Sequence, residues 1–232
     1  MNVWLNCYGT CVEEPMRAIV FDMDGILFDT ERLCQDSWIQ VAVKRGLPGM
    51  EEIFPRFIGL NANGSRRIVL EAYGEDFDYQ GFRAETSAWF WDYIDKNGLP
   101  VMTGAKPLLE WLKNNRWYLA LASSTRRSSV EKCLERAGFS EYFSVVVTGD
   151  MVEYSKPQPD IYLLACRELG VRPEEAYAIE DSPNGIRSAH AAGMRPLMVP
   201  DMIEPDEEMY HLSYRIFQNL DQVLDYLKTE GE

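Results

Sequence analysis

VFDMDGILFDTE, residues 20–31, begins inside an apolar run and breaks off on an acid. The run from Ala18 to Phe21 has the length of a strand and no polar alternation, as a strand covered on both faces would. Asp22 and Asp24 follow at once, two carboxylates that repel each other at short range. The same pattern recurs downstream. "WYLALA" runs into Ser123 and Ser124, "FSVVVT" leads through a loop to Lys156, and "AYAIE" ends on Glu180 and Asp181. Helical stretches separate these strands: "PLLEWLKNN", "RRSSVEKCLERAG", "PDIYLLACRELG" with Pro159 at its start and Gly170 at its end, and "SPNGIRSAHAAG". A last strand, "RPLMVP", follows. Short apolar strands alternating with amphipathic helices predict an α/β fold with a doubly wound parallel sheet.

The rhythm changes over residues 31–100. "ERLCQDSWIQVAVKRG", "MEEIFPRFIG", "SRRIVLEAYG" and "YQGFRAETSAWFWDYIDKNG" all carry helical spacing, with no strand between them. The expectation is an all-helical domain over 31–100, inserted into a core made of 16–30 and 101–232. Residues 1–15 look unlike the rest and are read as an N-terminal extension without chemistry. They have neither the basic nor the apolar region of a signal peptide.

Charge and composition exclude several classes. The net charge of −14 repels phosphate backbones and acidic lipids, and the basic residues are scattered. Nucleic acid is therefore not an expected partner. No apolar stretch approaches the ~18 residues of a membrane span. Five cysteines in no framework spacing predict a reduced, cytoplasmic protein; Cys7 and Cys11 lack a second ligand pair for zinc. A monomer is the favoured state.

In a parallel α/β sheet, ligands bind beyond the carboxyl ends of the strands. The strand ends here deliver two acids, a hydroxyl, a lysine and two more acids to one rim. Clustered carboxylates without histidine suit a hard cation such as Mg²⁺, and a hydroxyl and a lysine beside it suit a phosphoryl group. Asp22 is the candidate nucleophile, forming an acyl phosphate. Asp24 is the candidate proton donor and then base. Ser123 and Lys156 are expected to hold the transferring oxygens, and Glu180 and Asp181 to anchor the metal. Gly25, Ser124 and Asn184 are the candidate substrate contacts.

The four motifs "FDMDG", "LASST", "SKPQPD" and "IEDSPNG", in this order, resemble those of the haloacid dehalogenase-like superfamily, in its β-phosphoglucomutase-like group with a helical cap. The resemblance runs from Met16 to the last helix near Lys228. It implies a Rossmann-like core, an inserted helical cap, Mg²⁺ and an aspartyl-phosphate intermediate. It also implies that Asp22, Asp181 and the backbone carbonyl of Asp24 ligate the metal, with Glu180 direct or one water away. Family mutases carry a histidine where this chain has Cys34, and an arginine where it has Ala62 in "IGLNANGSRR". Dehalogenases replace the second aspartate, and phosphonatases need a cap lysine. The expectation is a phosphatase acting on a small phosphorylated metabolite such as a sugar phosphate. A phosphohexomutase is the runner-up, and a non-catalytic phosphometabolite-binding protein the reading from another class.

Some features have plainer readings. Ser182 before Pro183 is a helix N-cap, which is compatible with a site there. "WFWDYI" is read as cap packing rather than a substrate cage. The acidic run 201–208 is read as a solvated loop. Cap closure is expected to hinge near residues 28–30 and 99–103. Asn61 and Asn63 are the polar groups of the expected substrate loop.

Overall fold

The computed structural model describes residues 4–5, 11–12, 17–57 and 62–229. The expected extension lies outside these residues, except for an antiparallel ribbon pairing Trp4–Leu5 with Cys11–Val12. Residues 58–61, including Asn61 of the expected substrate loop, lie outside them too.

Six strands form one sheet: β1 (Ala18–Phe21), β2 (Tyr118–Ser123), β3 (Val145–Thr148), β4 (Ala176–Glu180), β5 (Arg195–Met198) and β6 (Arg215–Ile216). All pairs are parallel, and the spatial order is β3-β2-β1-β4-β5-β6. This is the doubly wound, Rossmann-like arrangement. The chain winds outward from β1 to β3, then returns to the other side of β1 with β4. The order reverses between β1 and β4, which leaves a crevice at their carboxyl ends. In register, Phe21 faces Ile179, so Asp22 and Glu180 emerge side by side.

Both faces of the sheet are covered. Ile19 and Phe21 point into one apolar layer, Ala18 and Val20 into the other, the two-residue period of a strand. The first layer takes α5 (Ala105–Asn114), α6 (Arg127–Ala137) and α10 (Leu220–Thr229) through Leu108, Val130 and Leu227. The second takes α7 (Asp160–Leu169) and α8 (Pro183–Ala191) through Ile161, Ala165 and Ala189.

The stretch after β1 folds on its own apolar centre. α1 (Thr30–Arg45) packs against α4 (Tyr79–Asn97), with α2 (Met50–Ile53) and α3 (Ala62–Tyr73) beside them. Trp38 is the hub, its ring 5.3 Å from Phe82, 6.0 Å from Phe54 and 6.5 Å from Tyr79. The two chain crossings run side by side. The Asp29 amide donates to the Pro100 carbonyl at 3.0 Å, and the Met102 amide to the Leu27 carbonyl at 2.9 Å.

Four details differ from expectation. "MEEIFPRFIG" holds only the one-turn α2, followed by a 3₁₀ turn at Phe54–Phe57, because Pro55 offers no amide to carry the helix on. The two-residue β6 and the short α9 (Glu207–Leu212) carry too little pattern to be read in advance. The aromatics of "WFWDYI" divide. Trp89 packs on the helical centre and stacks on Tyr93, whereas Trp91 turns to the sheet core, with Lys132 Nζ 3.7 Å from its ring centre. The acidic run is a solvated loop only in part: Glu204, Asp206, Glu207 and Glu208 are exposed, but Asp206 caps α9 by accepting the Met209 amide at 2.9 Å, and the Asp201 side chain is only 5% exposed.

Candidate active site

Each strand end brings its polar group to the crevice. Asp22 directly follows β1, and its amide still pairs with Ile179 of β4 at 2.9 Å, so the backbone fixes its carboxylate over the seam of the two strands. It is 7% exposed. Lys156, on the loop after β3, donates from Nζ to Asp22 Oδ1 at 2.5 Å, Glu180 Oε1 at 2.7 Å and the Ala122 carbonyl at 3.0 Å. All three ammonium hydrogens are engaged, so this lysine is no solvated loop residue.

Glu180, at the end of β4, is 0% exposed and fully answered. Its Oε1 accepts from Lys156 and from Tyr162 Oη at 2.8 Å. Its Oε2 accepts the amides of Asp181 and Ser182 and the Ser182 hydroxyl, each at 3.1 Å. Ser182 in turn caps α8 by accepting the Gly185 amide at 3.1 Å. Gly185 has to be glycine, since a Cβ there would stand 1.8 Å from Glu180 Oε1. The N-cap and the site are therefore one construction.

Asp24 sits across the crevice. Thr30 Oγ1 donates to its Oδ1 at 2.5 Å, and Thr125 Oγ1 and Ser123 Oγ donate to its Oδ2 at 3.0 and 3.4 Å. Ser123 ends β2, Thr125 follows it, and Thr30 opens α1, so Asp24 links the sheet to the helical block. Ser123 is buried and also accepts the Thr125 amide at 3.1 Å. Ser124 is exposed at the rim. Asn184 stands on the first turn of α8, where its Oδ1 accepts from Arg187 at 3.2 Å.

Carboxylate oxygens of Asp22, Glu180 and Asp181 lie within 4.8 Å of one another. The all-oxygen set fits a hard cation such as Mg²⁺. Gly25 supports the fit. It lies at φ +78°, and a Cβ there would stand 2.4 Å from Asp181 Oδ2, so the loop is shaped around that carboxylate. The close approach expected of Gly25 toward a ligand is thus first an approach to Asp181. A second trio shares that residue: oxygens of Glu31, Asp181 and Asp201 also lie within 4.8 Å of one another.

Charge follows burial. Asp22 is pushed up to about 8, by burial first, against the pull of Lys156, with Glu180 and Asp24 adding repulsion. Asp181 is raised in the same way by burial, then Glu31, Glu180 and Asp22. Burial and the charges of Asp24, Asp22 and Asp201 push Glu31 up to about 8. Burial alone would lower Lys156, but Asp22 and Glu180 outweigh it and hold the ammonium above its ordinary value. Cys34 is pushed up to about 11 by burial, so its thiol keeps its proton at neutral pH.

Asp22, Asp24, Ser123, Lys156, Glu180 and Asp181 thus meet in one crevice. Glu31, Asp201, Thr30 and Tyr162 join them without having been singled out. Glu31 read as an acid in a first helical turn, Asp201 as part of an acidic loop, and Tyr162 as an apolar helix face.

A family model described as haloacid dehalogenase-like hydrolase matches residues 16–193. The chain is 35% identical over 183 residues to a phosphorylated carbohydrates phosphatase of Thermotoga maritima, covering 77% of this chain and 82% of that one. It is 30% identical over 186 residues to the fructose-1-phosphate phosphatase YqaB of Escherichia coli, covering 78% and 95%. Among solved structures it is similar to CbbY from Rhodobacter sphaeroides in complex with phosphate, with a TM-score of 0.77 and 28% identity over 90% of this chain and 96% of the other.

Proposed function

The chain belongs to the haloacid dehalogenase-like hydrolases, and from that premise we propose that it is a Mg²⁺-dependent phosphatase of small sugar-like phosphate monoesters, working through an aspartyl phosphate on Asp22. The observation that carries this reading is the pairing of two differently held aspartates: Asp22 on the buried Lys156, Asp24 on mobile-hydrogen hydroxyls facing it. The two relatives described above, both phosphatases of phosphorylated carbohydrates, support the substrate class.

In this proposal Asp22 attacks phosphorus and becomes an acyl phosphate, while Asp24 gives its proton to the departing alkoxide. Asp24 then takes a proton from water as that water attacks phosphorus, which releases phosphate and restores the Asp22 carboxylate. Lys156 and Ser123 hold and offset the transferring oxygens. The cation would be held by Asp22, Asp181 and the Asp24 carbonyl, where it would offset phosphoryl charge. Glu180, with five hydrogen bonds of its own, acts chiefly by fixing Lys156 and the turn into α8. Thr30 ties Asp24 to α1, so movement of the helical block as a cap over residues 28–30 and 99–103 would bring the proton carrier into register. Ser124 and Asn184 remain proposed substrate contacts at the rim.

The protonated Cys34 cannot stand in for the imidazole that family mutases carry there, which favours water over a second sugar as acceptor. The test is phosphate release from a panel of sugar phosphates and nucleoside monophosphates, with Mg²⁺ and with EDTA. Release only with Mg²⁺, with sugar phosphates leading, is expected. Silence on every ester, together with turnover of β-glucose 1-phosphate in the presence of a bisphosphate primer, would establish the mutase instead.

A further inference from the structure

Two carboxylate oxygens outside the four motifs are buried with nothing to bond: Glu31 Oε2 and Asp201 Oδ2. Glu31 lies in the first turn of α1, and Asp201 in the loop after β5. Arg32 engages Asp201 only through Oδ1, at 2.5 Å, and shares its guanidinium with Asp29 at 3.0 Å. The Asp201 side chain is 5% exposed, so its second oxygen has no bulk water to turn to. A buried acceptor left unbonded costs stability. Both residues bring an oxygen to Asp181, within 4.8 Å. Asp181 is in turn shared with Asp22 and Glu180, so the five acids form one continuous row with Asp181 at its middle. Among the described residues, the ammonium that pairs with this row, that of Lys156, is spent on the Asp22–Glu180 side.

We propose that Glu31 and Asp201 accept hydrogen bonds from the water molecules on the Mg²⁺ held at Asp181, and thereby fasten helix α1 to the metal. The proposal rests on the Mg²⁺ reading given above. Mg²⁺ gives up its waters reluctantly and usually keeps several. The hydrogens of those waters need acceptors, and two carboxylates one layer out from the cation are suited to take them. Outer groups of this kind are worth roughly 10–100-fold in metal affinity. α1 already has two direct ties to the sheet domain, Thr30 to Asp24 and Arg32 to Asp201, both at 2.5 Å. Glu31 lies between them in sequence and adds a third tie that exists only with the metal. Glu31 and Asp201 are positioning residues here, acting through the cation's waters and not on the substrate.

The experiment is calorimetric titration of EDTA-stripped protein with MgCl₂, for wild type, Glu31→Gln, Asp201→Asn and Asp181→Asn, with thermal melts of each before and after. Asn at 201 keeps an acceptor for Arg32, and Gln at 31 keeps the size of the side chain. Wild type should bind, Asp181→Asn should not, and the other two should bind about 10–100-fold more weakly. In the metal-free state Glu31→Gln should melt higher than wild type, since it replaces an unanswered carboxyl. A merely structural role would lower the melts with and without metal and leave the affinity alone. Binding by Glu31→Gln and Asp201→Asn within about twofold of wild type, with Asp181→Asn dead, would overturn this inference and leave the Mg²⁺ reading standing. No binding by wild type would overturn both.

Discussion

The two sides of Asp181 treat buried acids in opposite ways. On one side Glu180 is enclosed by a lysine, a tyrosine, a serine and two amides, and no lone pair is left over that the fold itself has not addressed. On the other, Glu31 and Asp201 each keep an oxygen without a partner. Folding alone completes the Glu180 half of the row, whereas the other half leaves two acceptors open. The Glu180 side is preorganised: it sets Lys156 against Asp22 before any substrate arrives. The Glu31 side leaves two buried acceptors unbonded, a costly state that, on the proposal above, the waters of a bound cation would relieve.

The largest effect that would separate the two sides is loss of the lysine. Lys156→Met strands Asp22 and Glu180 as buried acids without a counter-charge, and should destabilise the metal-free protein by about 3–5 kcal/mol in a denaturant titration. Glu31→Gln should move the same measurement the other way. If both substitutions destabilise, the two sides are equivalent and the contrast fails.

A smaller effect is set by pH. Asp22 and Glu31 have ordinary values of 3.8 and 4.5, and both are pushed up to about 8 in the fold. Between about pH 4 and pH 8 the folded protein therefore holds protons that the unfolded chain has shed. Stability of the metal-free protein should fall as pH rises through that window. Saturating Mg²⁺, which favours the ionised acids, should flatten the slope. A melting temperature in EDTA that rises from pH 5 to pH 8 would contradict this.

Most of the fold was legible because its signals are local. Apolar runs mark β1 to β5, Gly170 closes α7 in the left-handed conformation, and Ser182-Pro183 opens α8. The strand-end residues of the site were legible for the same reason: each follows its strand directly or by one loop. What the sequence hid is what depends on distant contact. A glutamate in a first helical turn is ordinarily explained by the helix dipole, so Glu31 carried no signal of its own. Asp201 read as solvated because the run that it opens is acidic, yet Arg32, distant in sequence but adjacent in space, covers it. Tyr162 fits the apolar face of α7, and only the structure reveals its hydroxyl on Glu180. In "WFWDYI" the helical spacing was right, but period alone could not tell that Trp91 faces the sheet core.

Whether Asp22 carries the phosphoryl group, as proposed, is decided by turnover of Asp22→Asn measured beside wild type. The assay is Mg²⁺-dependent phosphate release from fructose 1-phosphate and its relatives, on protein whose melt confirms the fold. The variant is expected to fall below about a thousandth of the wild-type rate, as for an essential nucleophile. Turnover above that level would mean that another group attacks phosphorus, and the account of the site would be wrong at its centre.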